Sequence, residues 1–110
     1  MVTIKNIESK IAGLLDALEA NGYEPCKAIL FGSYAKGNPK DSSDLDVAIW
    51  ARGFSGNSIL DIENVSPLLR PFHPIELHPF SIDESSDDNP FIEEIERTGK
   101  DFSYLIKVPV

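Results

Sequence analysis

Apolar residues recur at steps of three and four positions near the start of the chain, which is the spacing of one face of an α-helix. This stripe consists of Ile4, Ile7, Ile11, Leu14, Leu15 and Leu18. Thr3 is suited to cap the start of the helix, and Asn21-Gly22 is a typical stop signal. The sequence therefore predicts an amphipathic first helix that buries one face.

Short apolar runs bounded by turn residues predict three buried strands. They cover residues 26–31, 44–50 and 75–78. The first run ends abruptly at Gly32-Ser33, and the residues from there to Gly37 fit one or two turns of helix. Pro39 and the polar residues around it indicate a loop before the second strand.

Two further stretches have helical spacing. The first stripe is Ile59, Ile62, Val65, Leu68 and Leu69, ended by Pro71, and the second starts at Pro90 and stops at Gly99. Residues 102–108 are predicted to form a final extended segment. The order α-β-(short α)-β-α-β-α predicts an α/β (α+β) fold, with a small mixed β-sheet flanked by helices. No repeat or linker divides residues 1–110, so we expect a single domain.

The composition favours a cytoplasmic protein without membrane association. The longest apolar stretch, residues 47–51, is far too short to span a bilayer. The N-terminus lacks the apolar block of a signal peptide. The single cysteine, Cys26, cannot form an internal disulfide and is expected to be a small apolar strand residue.

The formal net charge of −8 limits the partners of the chain. Nucleic-acid affinity comes mainly from cations that meet phosphates, so no direct nucleic-acid binding is expected. A nucleotide can still bind if metal ions lie between its phosphates and the carboxylates of the protein. A basic protein partner also suits this charge, and the acidic run at residues 83–88 is either a solvated loop or a contact for such a partner.

The Gly32-Ser33 turn between a strand and a predicted helix is a candidate phosphate site. Glycine permits close backbone approach, serine supplies a hydroxyl, and a helix that begins here presents free N–H groups. Lys36 adds a positive charge nearby. An ordinary turn has the same residues, so this feature by itself does not decide the function.

The sequence Asp44-x-Asp46 places two carboxylates on one face of a strand, because side chains two apart in a strand point the same way. Such a pair repels unless it is solvated or holds cations. The alternative is a polar strand start in which Asp44 caps a loop.

Together these two features form the pattern Gly-Ser-x10-Asp-x-Asp, from Gly32 to Asp46. This pattern resembles the signature of the DNA polymerase β-like nucleotidyltransferase superfamily. More narrowly, it is similar to the minimal nucleotidyltransferases that are often encoded beside HEPN-domain proteins as antitoxins. Phe31, Gly37 and the Ser43-Asp44 step also look like the pattern of this family.

The family pattern includes a third carboxylate on a later strand, and Glu76 is the best match because it lies inside the apolar segment Ile75-Glu76-Leu77. Asp61 and Glu63 are rivals, but a solvated helix face is expected to explain them. His78 would share a strand face with Glu76, which leaves a nucleotide or metal role open to it, although a packing or solvent role is favoured. Trp50 is expected in the core rather than against a base.

The resemblance implies a mechanism. Gly32 and Ser33 would hold the phosphates of ATP, with Lys36 and Ser43 also in the nucleotide site. Asp44, Asp46 and Glu76 would be catalytic and would bind two Mg²⁺ ions, as an all-oxygen site suits Mg²⁺. The transfer of AMP to a hydroxyl of a HEPN partner protein would make the chain an antitoxin.

Two other functions remain open at this level. The chain could neutralise a partner by docking alone, with or without bound nucleotide. It could also transfer a nucleotide to a small molecule such as an antibiotic, although that branch usually carries an extra helical domain.

Overall fold

The computed structural model describes residues 4–32 and 44–107. Its helices are α1 (Ile4–Ala20), α2 (Ser58–Leu69) and α3 (Pro90–Thr98), and its strands are β1 (Glu24–Phe31), β2 (Leu45–Arg52), β3 (Ile75–Phe80) and β4 (Lys100–Asp101). Two short 3-10 turns, Arg70–Phe72 and Ser103–Leu105, complete these elements. Thr3 and the short helix predicted after Ser33 lie outside the described residues.

The four strands form one mixed sheet in the order β3-β2-β1-β4. β1 runs antiparallel to both β2 and β4, whereas β2 and β3 are parallel. Parallel neighbours need a crossover connection, and α2 supplies it between β2 and β3. The predicted mixed α/β architecture with helices against a small sheet is therefore confirmed.

Alternation along the strands divides the core into two parts, one on each face of the sheet. The larger part joins α1 and Val65 of α2 to the odd-numbered residues of β2 and β3; its strand residues include Leu45, Val47, Ile49, Ala51, Ile75 and Leu77. The smaller part joins α3 to the opposite face; it contains Ile29, Ala48, Trp50, Phe80, Ile92 and Ile95. Even-numbered residues of β2 and β3 therefore face the side of the sheet on which α3 packs.

Local signals in the sequence set most of the helix ends. Gly22 adopts a φ of 92°, which ends α1 where Asn21-Gly22 predicted a stop. The Asn57 side chain accepts a hydrogen bond from the Leu60 N–H at the start of α2. Asn89 caps α3 in the same manner, and Pro90 occupies its first turn, where no N–H is needed.

Some predictions for individual residues are wrong. Ile4 and Ile59 are 63% and 74% exposed, because each lies at a helix start beyond the edge of the core. Cys26 is exposed at an irregularity in the pairing of β1 with β2. The segment predicted to be extended, residues 102–108, instead contains the 3-10 turn Ser103–Leu105, which follows the two-residue strand β4; residue 108 lies outside the described residues. Trp50 is 4% exposed and stacks on Phe80, which confirms its core position.

A search for membrane spans among the described residues found no helix with the length and apolarity that crossing a bilayer requires.

Candidate active site

The start of β2 and the start of β3 bring two carboxylates together. Asp46 and Glu76 are direct neighbours in the parallel register, although thirty residues separate them in the sequence. Both positions are even-numbered, so both side chains point to the α3 face of the sheet. The sequence prediction that Glu76 converges with Asp46 therefore agrees with the geometry of the strands.

His78 is the third member of this group. One ligand atom from each of Asp46, Glu76 and His78 lies within 4.8 Å of the other two. The His78 Nε2 is 3.2 Å from Asp46 Oδ1, and both side chains are 26% exposed. A packing or solvent role was favoured for His78 from the sequence, but this prediction did not include its contact with Asp46. The available signal was its position two residues after Glu76.

Aromatic rings hold the imidazole of His78 in place. The ring centroid of Phe31 is 4.8 Å from that of His78 in an edge-on arrangement, and the Phe91 ring is 6.0 Å away. Phe31 also meets Phe91 edge-on at 5.6 Å. These contacts come from β1 and from the first turn of α3, so both elements fix the orientation of the histidine.

Gly32 follows β1 and lies against the Asp46 carboxylate. Its φ of 78° is a left-handed conformation that glycine adopts easily and other residues adopt at a cost. A Cβ at this position would lie 2.5 Å from Asp46 Oδ2. The absence of a side chain at residue 32 is therefore a condition for the observed position of Asp46.

Asp44 is exposed and immediately precedes β2. Its negative charge contributes to raising the pKa of Glu76, so the two carboxylates interact electrostatically. Among the described residues, however, the group of possible metal ligands whose atoms lie within 4.8 Å of one another contains His78 in the place expected for Asp44. Asp44 lines the cavity beside this cluster.

The pKa of Glu76 is raised above its ordinary value of 4.5. Its partial burial is the largest cause, followed by repulsion from Asp46; the neighbouring His78 acts in the opposite direction. A cation between these side chains would remove the repulsion. The electrostatics of the site therefore favour a bound positive charge.

Glu76→Gln should raise the melting temperature of the metal-free protein at neutral pH by about 1–3 °C. A carboxyl whose pKa is raised by folding contributes its stability below its unfolded pKa and loses it as the pH rises through the folded pKa. The difference from wild type should therefore vanish below about pH 4. Thermal unfolding between pH 3 and 8 in EDTA measures it, with Glu63→Gln as a control of equal charge change. An equal gain in both variants would contradict a local origin.

A cavity of about 720 Å³ opens beside the cluster. Asp44, Glu76 and His78 line one part of it, and Phe91 lies in its wall. The cavity has the size of a small-molecule site and combines an apolar wall with a few convergent polar groups. A substrate in this cavity would contact the carboxylates directly.

Asp61 is buried, at 2% exposure, which corrects the expectation that a solvated helix face explains it. Both of its carboxylate oxygens lie 3.0 Å from the Ser55 N–H, and Oδ1 also accepts from the Ser55 hydroxyl at 2.9 Å. Asp61 thereby ties the β2–α2 loop to the first turn of α2. The neighbouring Gly56 and Ser58 line the cavity, so this carboxylate supports its wall. No pattern in the sequence indicated Ser55 as the partner of Asp61, because Ser55 lies in an irregular loop.

Asp61→Ala should lower the free energy of unfolding by about 2–4 kcal/mol, because it removes charge-assisted hydrogen bonds and leaves the Ser55 N–H without its acceptor. Urea denaturation measures the change. Glu63→Ala is the matched control, since Glu63 is exposed on the same helix and should alter stability by less than about 0.5 kcal/mol. Similar losses in the two variants would show that the Ser55 contact contributes little.

The remaining predicted residues of the nucleotide site, Ser33, Lys36 and Ser43, lie outside the described residues. Gly32 is described and lies beside Asp46. The donor set of Asp46, Glu76 and His78 consists of two carboxylates and an imidazole, all of them ligands for divalent metal ions in proteins. The residues that are present therefore fit a divalent cation.

Comparisons with known proteins agree with this geometry. The family model described as polymerase beta nucleotidyltransferase matches residues 14–102. A crystal structure of a toxin-antitoxin with AMP-PNP superposes with a TM-score of 0.58 at 23% identity, over 86% of this chain and 70% of that chain. A protein from Sulfolobus solfataricus, provisionally described as a nucleotidyltransferase, gives a TM-score of 0.47 at 24% identity, over 87% and 84% of the two chains. A search of curated protein sequences gave no significant match.

The family match covers most of the chain and includes β1, β2 and β3. The protein therefore belongs to the polymerase β-like nucleotidyltransferase family, as the Gly-Ser-x10-Asp-x-Asp pattern predicted. The toxin-antitoxin structure has the same fold as this chain. The family assignment and the fold class predicted from the sequence are both confirmed.

Proposed function

We propose that this nucleotidyltransferase transfers AMP from ATP to a hydroxyl group of a partner protein, and that the partner is a HEPN-type toxin. The observation that carries the proposal is the convergence of Asp46 and Glu76 from two parallel strands beside Gly32, at the place where the family motif lies. The shared fold with a toxin-antitoxin crystal structure that holds AMP-PNP supports a nucleotide and a toxin as partner, whereas the HEPN type rests on the resemblance of the sequence pattern. The family pattern supports a single minimal domain over residues 1–110.

The proposed site divides its residues by role. Gly32 and Ser33 would hold the β- and γ-phosphates, and Lys36 and Ser43 would also serve the nucleotide site, as the resemblance implies. Asp44, Asp46 and Glu76 would hold two divalent metal ions, of which Mg²⁺ would accompany the triphosphate. When bound, these ions would neutralise the charge of the phosphates and lower the pKa of the acceptor hydroxyl.

The reaction is a substitution at the α-phosphate of ATP. The acceptor oxygen forms a bond to the α-phosphorus while the bond from that phosphorus to the β-phosphate oxygen breaks, and pyrophosphate leaves. The hydroxyl proton passes to a carboxylate. Asp46 and Glu76, which are direct neighbours in the parallel register, are the two carboxylates proposed for this role.

The direct test is incubation with Mg²⁺, ATP and the product of the neighbouring gene, followed by mass spectrometry of that product. The expected result is the addition of AMP, absent with the Asp44→Ala/Asp46→Ala double variant. Asp16→Ala is the control, since Asp16 lies on α1, which packs on the opposite face of the sheet.

The same experiment separates transfer from docking. If the double variant still neutralises the partner without AMP addition, the chain acts by docking and the enzymatic proposal fails. In a parallel incubation with an aminoglycoside added, AMP found on the aminoglycoside and not on the protein would instead support the antibiotic branch.

A further inference from the structure

The position of His78 has a consequence for the metal that the site prefers. We propose that His78 is a direct ligand, together with Asp46 and Glu76, of one metal position, and that this position selects a first-row transition-metal ion over Mg²⁺. The inference rests on the proposed function, since it concerns the same site. It assigns a ligand and a metal class that the Gly-Ser-x10-Asp-x-Asp pattern does not contain.

The distances fit direct coordination. Two ligand atoms at right angles around an ion, each about 2.1 Å from it, are about 3.0 Å apart. His78 Nε2 and Asp46 Oδ1 are 3.2 Å apart. The three ligand atoms lie within 4.8 Å of one another, so one ion can contact all of them after small side-chain rotations.

The imidazole is held in position before any ion binds. Phe31 and Phe91 contact its ring, and β3 holds its backbone at the register position opposite Ala48. Ala48 is buried and small, so the neighbouring strand leaves room on this face for the ring. Little side-chain freedom is therefore lost when the nitrogen meets a metal.

The donor chemistry decides which ion is preferred. Mg²⁺ favours oxygen ligands and keeps several waters, whereas imidazole nitrogen suits Zn²⁺, Co²⁺ and similar ions. Two carboxylates and one imidazole form a mixed oxygen and nitrogen set. The Mg²⁺ that accompanies ATP would be held by the oxygen ligands Asp44 and Asp46. The two metal positions would therefore prefer different metal ions.

The test uses Co²⁺ and Mg²⁺ alone, without nucleotide, in a Cys26→Ser background that removes the exposed thiol. Isothermal titration should show Co²⁺ binding at least about 10-fold more tightly than Mg²⁺. Proton NMR of the Co²⁺ form should show strongly shifted imidazole resonances from a coordinated histidine. Both the preference for Co²⁺ and these resonances should be lost in His78→Ala.

Two controls separate direct coordination from other roles. His73, the other histidine of the chain, lines the same cavity, and His73→Ala should retain the preference and the shifted resonances. His78→Gln restores an oxygen donor and should bind Mg²⁺ as wild type does, without the preference for Co²⁺. Circular dichroism verifies that each variant is folded.

Each outcome has a defined meaning. Equal Co²⁺ affinity in wild type and His78→Ala, or no shifted imidazole resonances, would overturn direct ligation by His78 while leaving AMP transfer intact. Equal weakening of Co²⁺ and Mg²⁺ in His78→Ala would reduce His78 to a residue that only orients Asp46. A wild type that binds no divalent ion, with or without ATP, would overturn the proposed function as well.

Discussion

Asp46→Asn should abolish the stabilisation of the protein by Mg²⁺-ATP and slow nucleotidyl transfer by about 10³-fold or more. Asp46 lies at the centre of the site: it neighbours Glu76, contacts His78 and lies against Gly32. Asparagine has the same shape but no charge, so it cannot neutralise a cation. The substitution removes several kcal/mol of charge stabilisation from the transition state. Each loss of about 1.4 kcal/mol slows the reaction tenfold.

Two measurements check this expectation. Wild-type protein at millimolar Mg²⁺-ATP should melt several degrees higher than without ligand, since a ligand at 100 times its Kd stabilises by about 2.7 kcal/mol. Asp46→Asn should show no such rise, while its own stability stays equal to or above that of wild type because repulsion with Glu76 is relieved. Asp16→Asn controls for the loss of one negative charge. A normal shift and more than about a tenth of the wild-type transfer rate would contradict a central role for Asp46.

Gly32→Ala should reduce transfer by about 100-fold with only a modest loss of stability, because displacement of a catalytic group by about 1 Å has effects of this size. The added Cβ would lie 2.5 Å from Asp46 Oδ2, so the carboxylate must move away from its contact with His78. The left-handed backbone at residue 32 adds about 1–2 kcal/mol of strain.

Gly22→Ala is a matched control for this variant. Gly22 has a φ of 92°, but a Cβ there would meet no atom within 4 Å. Both variants should therefore lose similar stability in urea denaturation, whereas only Gly32→Ala should lose transfer. Equal activity in the two variants would show that the close approach of residue 32 to Asp46 has no functional importance.

The sequence pattern predicted the parts of the fold that depend on local periodicity. The stripe from Ile7 to Leu18 placed α1, and the apolar run after Asp46 placed β2. Glu76 was predicted to be the third carboxylate of the family pattern because it lies between apolar residues of a strand; its side chain is exposed, and its neighbour in the sheet is Asp46. Helix stops at Gly22 and Gly99 followed from ordinary capping chemistry.

The features that could not be predicted depend on contacts across the fold. β4 has two residues and exists only through its pairing with Ile29 and Leu30. The burial of Asp61 depends on the conformation of an irregular loop around Ser55. His78 was placed on the correct face, yet its contact with Asp46 follows from the parallel register, which periodicity does not determine.

Because β2 and β3 are paired in parallel, an insertion in the connection between them and an insertion within β3 have different effects on the site. Residues inserted into the crossover loops can alter the cavity wall around Gly56 and Ser58, but they leave Asp46 and Glu76 paired on the same face of the sheet. One residue inserted within β3 before Glu76 would turn Glu76 and His78 towards the opposite helices, where Ile75 and Leu77 now pack. Changes in the length of a connection therefore preserve the pairing of Asp46 with Glu76, whereas the insertion of a single residue into β3 does not.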